Sequence, residues 1–441
     1  MILLYLLCRS LYNRYSDWGG YYFSSAEKYY PKSVSELVTI VKSHDRVSVQ
    51  GEQYSHGGQT LVSSNGRLCC SVSLKHLNGI RVHSNRMTYT VQAGATWKMV
   101  RDRLRRYGKA IDVCQSYHDF SIGGSISVCC HGRTGESLYR TIKSLEILLA
   151  NGDIVIASPK SNIDLFNAVI GGYGLCGVII SAELSCRDDI MVRLIMSDDW
   201  LSELDKPAIL WNTNVYIDFD RPFEETKFLS FRHVEVSPVV EYTSNNSRHP
   251  YLDRLGYNLI SLSGAPSTNY FKVKQDRQCP TYLKLSDALT EDLDSIKPLT
   301  SSRIFHPILQ EYFIPRQYII HFLRAIHGCK QLGPLLLNIS IRKVKAVVGP
   351  LLSPYTKDRL AVVLCLNAPW ISDKLRGITE YLLEHTKRLD GSFYLPYYNL
   401  YNVEYLSMYR VPEFIDFKRL IDPTEKFNTR FYEHLTFRQR L

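Results

Sequence analysis

Three short segments concentrate the residues that could hold a ligand through the backbone. GEQYSHGGQT (51–60) follows the apolar run RVSVQ and packs three glycines around Tyr54, Ser55 and His56. SIGGSISVCCHGRTG (121–135) and GGYGLCG (171–177) repeat the pattern. Glycine costs backbone entropy unless the chain needs a positive φ or a close approach. Each loop is therefore either a tight turn or a nest of amide N–H groups able to hold a phosphate. His131 can move a proton near neutral pH, or simply pack in the core.

Gly172, Gly174 and Gly177 fit GxGxxG, yet the context opposes a dinucleotide fingerprint, which needs a strand before the glycines and a helix after them. Here NIDLFNAVI precedes and reads as helix, whereas VIISAELSC follows and reads as strand.

The surrounding elements are regular. Ser33 to Glu36 forms a capping box opening an amphipathic helix, LVTIVK. RVSVQ, LCCSVSL, IRVHSN and MTYTVQAG read as strands, the middle two joined by a turn at Asn78-Gly79. In WKMVRDRLRRYGK, Trp97, Val100, Leu104 and Tyr107 share one helical stripe and leave Arg101, Arg105 and Arg106 off it. That basic face is read as solvated, with phosphate-backbone contact as the alternative. SLEILLANGDIVIAS is a hairpin at Asn151-Gly152. Beyond about residue 188 the texture changes to long apolar strands, LLLNISIRKV and RLAVVLCLNAPW, and helices, PRQYIIHFLRAI and SDKLRGITEYLLEHTKRL, followed by a tyrosine-rich tail.

At 441 residues, with 45% hydrophobic and 22% charged residues, the chain is globular and long enough for two or more domains. A net charge of +10 suits an anionic ligand without demanding nucleic acid. Eleven cysteines with no CxxC suggest neither a disulfide framework nor a zinc site, hence free thiols, a reducing cytoplasmic compartment and no metal. MILLYLLCRS is too short to span a bilayer and a poor signal peptide, so no transmembrane segment or export is expected. Asn245 and Asn338 head NxS triplets of a kind common by chance.

The three glycine clusters, in this order, resemble the FAD-binding oxidoreductases of the vanillyl-alcohol oxidase type, with a PCMH-type FAD domain. Their loops have the forms G-x-x-H/R-S-x-x-G-Q, G-G-x-i-x-x-x-x-H-G and G-G-x-G-l-x-G-i-i. YYPKSVSELVTIVK, VQAGATWKMVRDRL and the closing IDPTEKF are similar to further family segments, and the likeness covers residues 29–185 and the tail. Within the family it leans toward sugar oxidoreductases acting on decaprenylphosphoryl-ribose, and more loosely toward aldonolactone and alditol oxidases.

The resemblance implies an α+β fold: a PCMH-type FAD-binding domain of two α/β subdomains (1–188), a substrate-binding cap domain with an antiparallel sheet flanked by helices (189–390), and a C-terminal segment returning to the FAD domain (391–441). It implies that Gly51, Glu52, Gln53, Tyr54, Ser55, His56, Gly57, Gly58 and Gln59 cradle the pyrophosphate of FAD. Gly123, Gly124, Ser125 and Ser127 would run past pyrophosphate and ribityl, His131 and Gly132 would reach the isoalloxazine, and Gln115, Ser116 and Tyr117 would line the cofactor. Gly174 and Ile179 would face the adenine, and Tyr394 the flavin.

Two departures from the pattern carry expectations of their own. Tyr54 stands where many relatives attach flavin to histidine, so the FAD should be non-covalent; His56 lies two residues on, roughly 6–7 Å along a strand. Tyr397 stands where the sugar oxidoreductases carry a lysine. A phenol can bind a substrate hydroxyl, or act as base if a cation such as Arg342 or Lys343 lowers its pKa. The bland reading of these three is an ordinary surface strand.

The implied reaction oxidises an alcohol of a small sugar-, alditol- or lactone-like molecule by hydride transfer to flavin N5, with His131 a candidate base and oxygen or another compound as electron acceptor. The alternatives are a flavin-fold binding protein without turnover and a flavin-dependent C=C reductase.

Overall fold

The computed structural model describes residues 15–18, 20–62, 68–236, 282–290, 307–368 and 372–436. MILLYLLCRS, Asn245 and the closing Pro369-Trp370 of RLAVVLCLNAPW lie outside these residues.

The first layer is a parallel sheet ordered Glu27–Tyr29, Cys69–Ser73, Arg46–Gln50. Against it lies the helix Val34–Ser43, whose Leu37, Ile40 and Val41 are buried. The Ser33 hydroxyl accepts the N–H of Glu36 at 3.2 Å. Glu36 accepts from Lys32 rather than Ser33, one residue earlier than a reciprocal box places it.

The second sheet is antiparallel and ordered Ile154–Ala157, Ile142–Leu148, Val178–Asp188, Thr88–Gln92, Ile80–Val82, with Lys109–Ile111 pairing the far end of Val178–Asp188. Asn151-Gly152 makes the expected hairpin, with Gly152 at φ +91°. The helix Trp97–Arg105 buries Trp97, Val100 and Leu104. Its basic face is not simply solvated: Arg105 pairs with Asp287 and donates to the Ser286 hydroxyl at 2.8 Å, and Arg101 reaches Thr290. Only Arg106 of the three is exposed.

The second glycine cluster also differs from expectation, forming the short helix Ile122–Ser127 capped by Ser121 rather than a loop beside a strand. Gly123 lets this helix pack closely, since a Cβ there would stand 2.9 Å from that of Ala93, at the end of the strand Thr88–Gln92. GGYGLCG lies between the helix Ile163–Val169 and the strand Val178–Asp188, the reverse of the dinucleotide order.

The third sheet has eight antiparallel strands: Tyr282–Lys284, Met191–Ser197, Lys227–Glu235, Leu210–Tyr216, Leu336–Val344, Arg359–Asn367, Pro307–Ile314 and Ser392–Phe393. Helices Ile319–Gly328 and Asp373–Arg388 cover one face, where Gln310 donates to Thr379 at 2.7 Å and Tyr312 packs on Phe322. Because strand side chains alternate, Glu311 and Phe313 point to the other face. The chain is thus the α+β architecture implied by the resemblance, although the second layer is built on antiparallel pairing.

After Ser392–Phe393 the tail returns to the first layer. Val47 N–H donates to the Lys426 carbonyl at 2.8 Å, and Val62 bridges Thr429. Asp422 organises the turn of IDPTEKF by accepting from the backbone of Lys426 and Phe427 and from the buried Lys418 ammonium.

Candidate active site

Register places a continuous row on the uncovered face of the eight-stranded sheet. Glu311 opposes Val363, which opposes Ser340, which opposes Asn214; one pleat along, Phe313 opposes Ala361, which opposes Arg342. Directly opposed residues share a face, so all these side chains project together.

Residues following the helix Ile122–Ser127 lie over this row. Nε2 of His131 is 2.6 Å from Oε1 of Glu311, and both side chains are almost completely buried. The Tyr397 hydroxyl donates to the other carboxylate oxygen at 3.2 Å. Tyr394 packs beside both, with ring centroids 6.1 Å from His131 and 5.6 Å from Tyr397, and donates to the Val128 carbonyl at 2.6 Å. Burial, and then the Glu311 charge, push the Tyr397 phenol well above its ordinary value, and the nearby Arg342 only partly offsets them. The expectation of a phenol made acidic by a cation is thereby corrected, because desolvation exceeds the attraction of one guanidinium.

Lys343 is corrected as well. It sits next to Arg342 in an extended strand and so faces the opposite side, its ammonium 5.0 Å from the centre of the Trp211 ring. The structure thus joins His131, Tyr397 and Arg342, excludes Lys343, and adds Glu311. A signal for Glu311 was present in PILQEYFI, where an acidic residue interrupts an apolar strand.

The first loop divides into two parts. Glu52 and Gln53 are exposed, whereas residues 56–59 are buried. Tyr54 forms an aromatic triad with Tyr117 and Phe120, and its hydroxyl is 3.1 Å from that of Tyr117, which donates to Asp119. The Ser55 hydroxyl meets that of Thr60 at 2.8 Å. The Trp18 amide donates to the Ser55 carbonyl, and its ring packs on His56 at 4.6 Å. Tyr397 and Tyr398 close the other sides of His56, and burial lowers its pKa to about 3. Gln59 donates to the Pro396 carbonyl and accepts from the Gly57 amide, and Asn399 donates to the Gly57 carbonyl. Gly57 and Gln59 therefore fasten this loop to the tail, while Gly58 turns it at φ +78°.

The second segment meets the first directly. A Cβ on Gly51 would lie 1.9 Å from the Ser121 hydroxyl, and one on Gly132 would lie 2.0 Å from the Cys114 carbonyl. Ser125 bridges Gln115, at 2.6 Å, and the Trp97 indole N–H, at 2.9 Å. Gly124 donates to the Ser121 hydroxyl, and the Ser127 carbonyl accepts from Tyr173. Gly174 turns at φ +75° in open space, and Ile179 is buried in the strand Val178–Asp188.

A dinucleotide with a buried flavin would need close backbone approach and unpaired polar atoms aimed inward. For the first, Gly174, with nothing within 4 Å of where a Cβ would stand, leaves such space, whereas the approaches at Gly51 and Gly132 are to the protein's own Ser121 and Cys114. The Ser116 hydroxyl and His131 Nδ1, both buried and without a partner among the described residues, provide the second. The residues present fit FAD.

Residues 28–158 match the family model described as FAD binding domain. This stretch of the chain is similar to an FAD-binding domain. Its relatives agree with that assignment. The chain is 30% identical over 222 residues to a D-arabinono-1,4-lactone oxidase of Yarrowia lipolytica, covering 47% of this chain and 41% of that protein. It is 25% identical to cytokinin dehydrogenase 9 of Oryza sativa, over 50% of this chain and 43% of that protein. It is 24% identical to the L-gulonolactone oxidase of Mus musculus, over 54% and 52% respectively. The chain thus spans about half the length or less of these curated relatives. FAD is the cofactor that this likeness supports. Among the described residues, no helix is long and apolar enough to cross a membrane.

Proposed function

We propose that the protein oxidises an alcohol carbon of a small, hydroxylated, sugar-, alditol- or lactone-like molecule, using non-covalently held FAD and passing electrons to oxygen or another acceptor. The observation that carries this reading is the buried carboxylate of Glu311, held between His131 and Tyr397 at the meeting of the PCMH-type domain and the eight-stranded sheet. The aldonolactone oxidases among the relatives support the substrate class.

FAD, when bound, supplies the hydride acceptor. The protein handles the proton. The Tyr397 hydroxyl donates to Glu311, so a substrate hydroxyl at Tyr397 can pass its proton to the phenol oxygen as the phenol proton moves to the carboxylate. No free phenolate is needed, which suits a phenol that burial keeps protonated. His131 fixes the other carboxylate oxygen, and its unpaired Nδ1 is available to a ligand. Arg342 offsets part of the charge beside Tyr397.

The assembled cluster weighs against a fold retained for binding alone. A reducing, cytoplasmic compartment is part of the same proposal and rests on the sequence alone, eleven cysteines without a CxxC.

Anaerobic bleaching of the flavin absorbance by a panel of aldonolactones, sugars and alditols tests this reading. Reduction by at least one of them, with Glu311→Gln slower by a hundredfold or more, is the expected result. A flavin that none of them reduces would overturn it.

A further inference from the structure

Tyr397 is held at its backbone by the loop that the first glycine cluster forms. The Gln59 amide nitrogen donates to the Pro396 carbonyl at 2.9 Å, and its oxygen accepts the Gly57 N–H at 2.9 Å. The Asn399 amide nitrogen donates to the Gly57 carbonyl at 3.3 Å, and its oxygen accepts from the Tyr401 hydroxyl at 3.3 Å. Between these bonds the Tyr397 carbonyl lies against Gly57, where a Cβ would stand 2.7 Å from it. The loop therefore grips residue 397 and its neighbours 396 and 399. The His56 ring adds an edge contact to the phenol ring, with centroids 5.5 Å apart.

This clasp fixes its own geometry. The Gly57 N–H needs an acceptor and the Pro396 carbonyl needs a donor, so one orientation of the buried Gln59 amide satisfies both. The resemblance set Gln59 among the residues that cradle pyrophosphate, yet both ends of its amide are committed to the protein's own backbone. At the other end of Tyr397 the hydroxyl reaches Glu311 at 3.2 Å, already long for an O–H donor. A further lengthening of a few tenths of an ångström would remove that bond. A shift of the backbone at residue 397 is thus felt directly by the pair that handles the proton.

We propose that Gln59 and Asn399 are positioning residues that act through Tyr397, fixing its backbone so that the phenol meets Glu311 and a substrate hydroxyl together. The inference rests on the alcohol-oxidising reading for its effect on rate. It gives the end of the first loop a part in proton transfer rather than in holding phosphate. Misplacing a reacting group by about 1 Å can cost on the order of a hundredfold in rate.

The test compares four FAD-loaded full-length proteins: native, Gln59→Leu, Tyr397→Phe and the double variant. Each is read twice, by the rate of flavin reduction with the best substrate of the panel at saturating FAD, and by melting temperature. Gln59→Leu should slow reduction about tenfold or more in the native background, and less than about twofold beside Tyr397→Phe, where no hydroxyl is left to misplace. The drop in melting temperature caused by Tyr397→Phe should likewise shrink to less than about half in the Gln59→Leu background. FAD affinity should stay near that of the native protein. Asn399→Leu opens the clasp from its other side, so it should repeat the pattern and serves where Gln59→Leu does not fold. Equal effects of Gln59→Leu with and without the Tyr397 hydroxyl, or a loss confined to FAD affinity and cured by excess FAD, would overturn the proposal. A flavin that no member of the panel reduces would defeat the oxidation reading alone, because the melting comparison still decides whether Gln59 acts through Tyr397.

Discussion

Nε2 of His131 and Oε1 of Glu311 lie 2.6 Å apart although 180 residues separate them in the chain. The pair exists only because the segment following the helix Ile122–Ser127 packs over the eight-stranded sheet. It therefore links packing of the region matched by the FAD-binding model against the eight-stranded sheet to assembly of the Glu311 cluster. Glu311→Gln keeps the volume and removes the charge that accepts from Tyr397. Flavin content should stay near one per chain, and the rate of flavin reduction by the best substrate should fall by about 10²–10⁴. A loss below threefold in stopped-flow reduction would remove Glu311 from the reaction.

Tyr397→Phe separates two roles for the phenol. If Tyr397 had to ionise, the rate in the native protein would climb toward alkaline pH with the phenol, and the variant would lose that limb. Burial and Glu311 instead hold the phenol protonated throughout the working range. The variant should lose roughly ten- to a hundredfold in reduction rate, with the shape of the pH profile between about 6 and 9 unchanged. A native alkaline limb that disappears in Tyr397→Phe would show that the phenolate is the base.

Asp17 gives stability its own pH dependence. Burial raises its pKa to about 6, although the Tyr21 and Tyr22 amides donate to it. A carboxyl whose folded pKa lies above its unfolded value of 3.8 contributes stability that is complete below that value and lost as pH rises through about 6. The native protein should therefore gain on the order of 1 kcal/mol, relative to Asp17→Asn, between pH 8 and pH 5. Thermal melts of both proteins at the two pH values measure the difference, and parallel shifts would contradict it.

Much of this fold is written in local sequence. The Ser33 cap, the Asn151-Gly152 hairpin and the stripe of Trp97, Val100 and Leu104 each depend on residues within a turn or two of one another. The rejection of GxGxxG at Gly172 followed from element order alone. What escaped local reading depends on distant partners. The basic face of the helix Trp97–Arg105 is occupied by Ser286, Asp287 and Thr290, and nothing near Arg105 announces them. Glu311 could be noticed as a charge in an apolar strand, but its meeting with His131 belongs to the packing of two layers. The side of Lys343 is legible locally, since strand alternation forbids it to share a face with Arg342.

The buried pair of Lys418 and Asp422 is asymmetric. Burial lowers the Lys418 pKa, and Asp422 opposes that shift. Asp422 also accepts from the backbone of Lys426 and Phe427, so it organises the returning tail as well as the charge. Asp422→Asn should cost about 3–5 kcal/mol, because it strands an ammonium inside the protein, whereas Lys418→Met leaves a carboxylate that the Lys426 and Phe427 amides still satisfy in part and should cost less. Equal losses in melting temperature for the two variants would show that the Lys426 and Phe427 amides do not compensate a carboxylate left without its ammonium.

Flavin linkage is decided around Tyr54. Its ring is held by Tyr117 and Phe120, and a tyrosine cannot form a histidyl bond to the flavin. His56, the nearby imidazole, is closed in by Trp18, Tyr397 and Tyr398. Precipitation of the yellow protein with acid should leave a colourless pellet and put the FAD in the supernatant. Tyr54→Phe should behave in the same way, with a modest rise in the FAD dissociation constant from loss of the hydroxyl contact to Tyr117. A pellet that stays yellow in the native protein and turns colourless in His56→Ala would show that His56, despite its enclosure, carries the flavin.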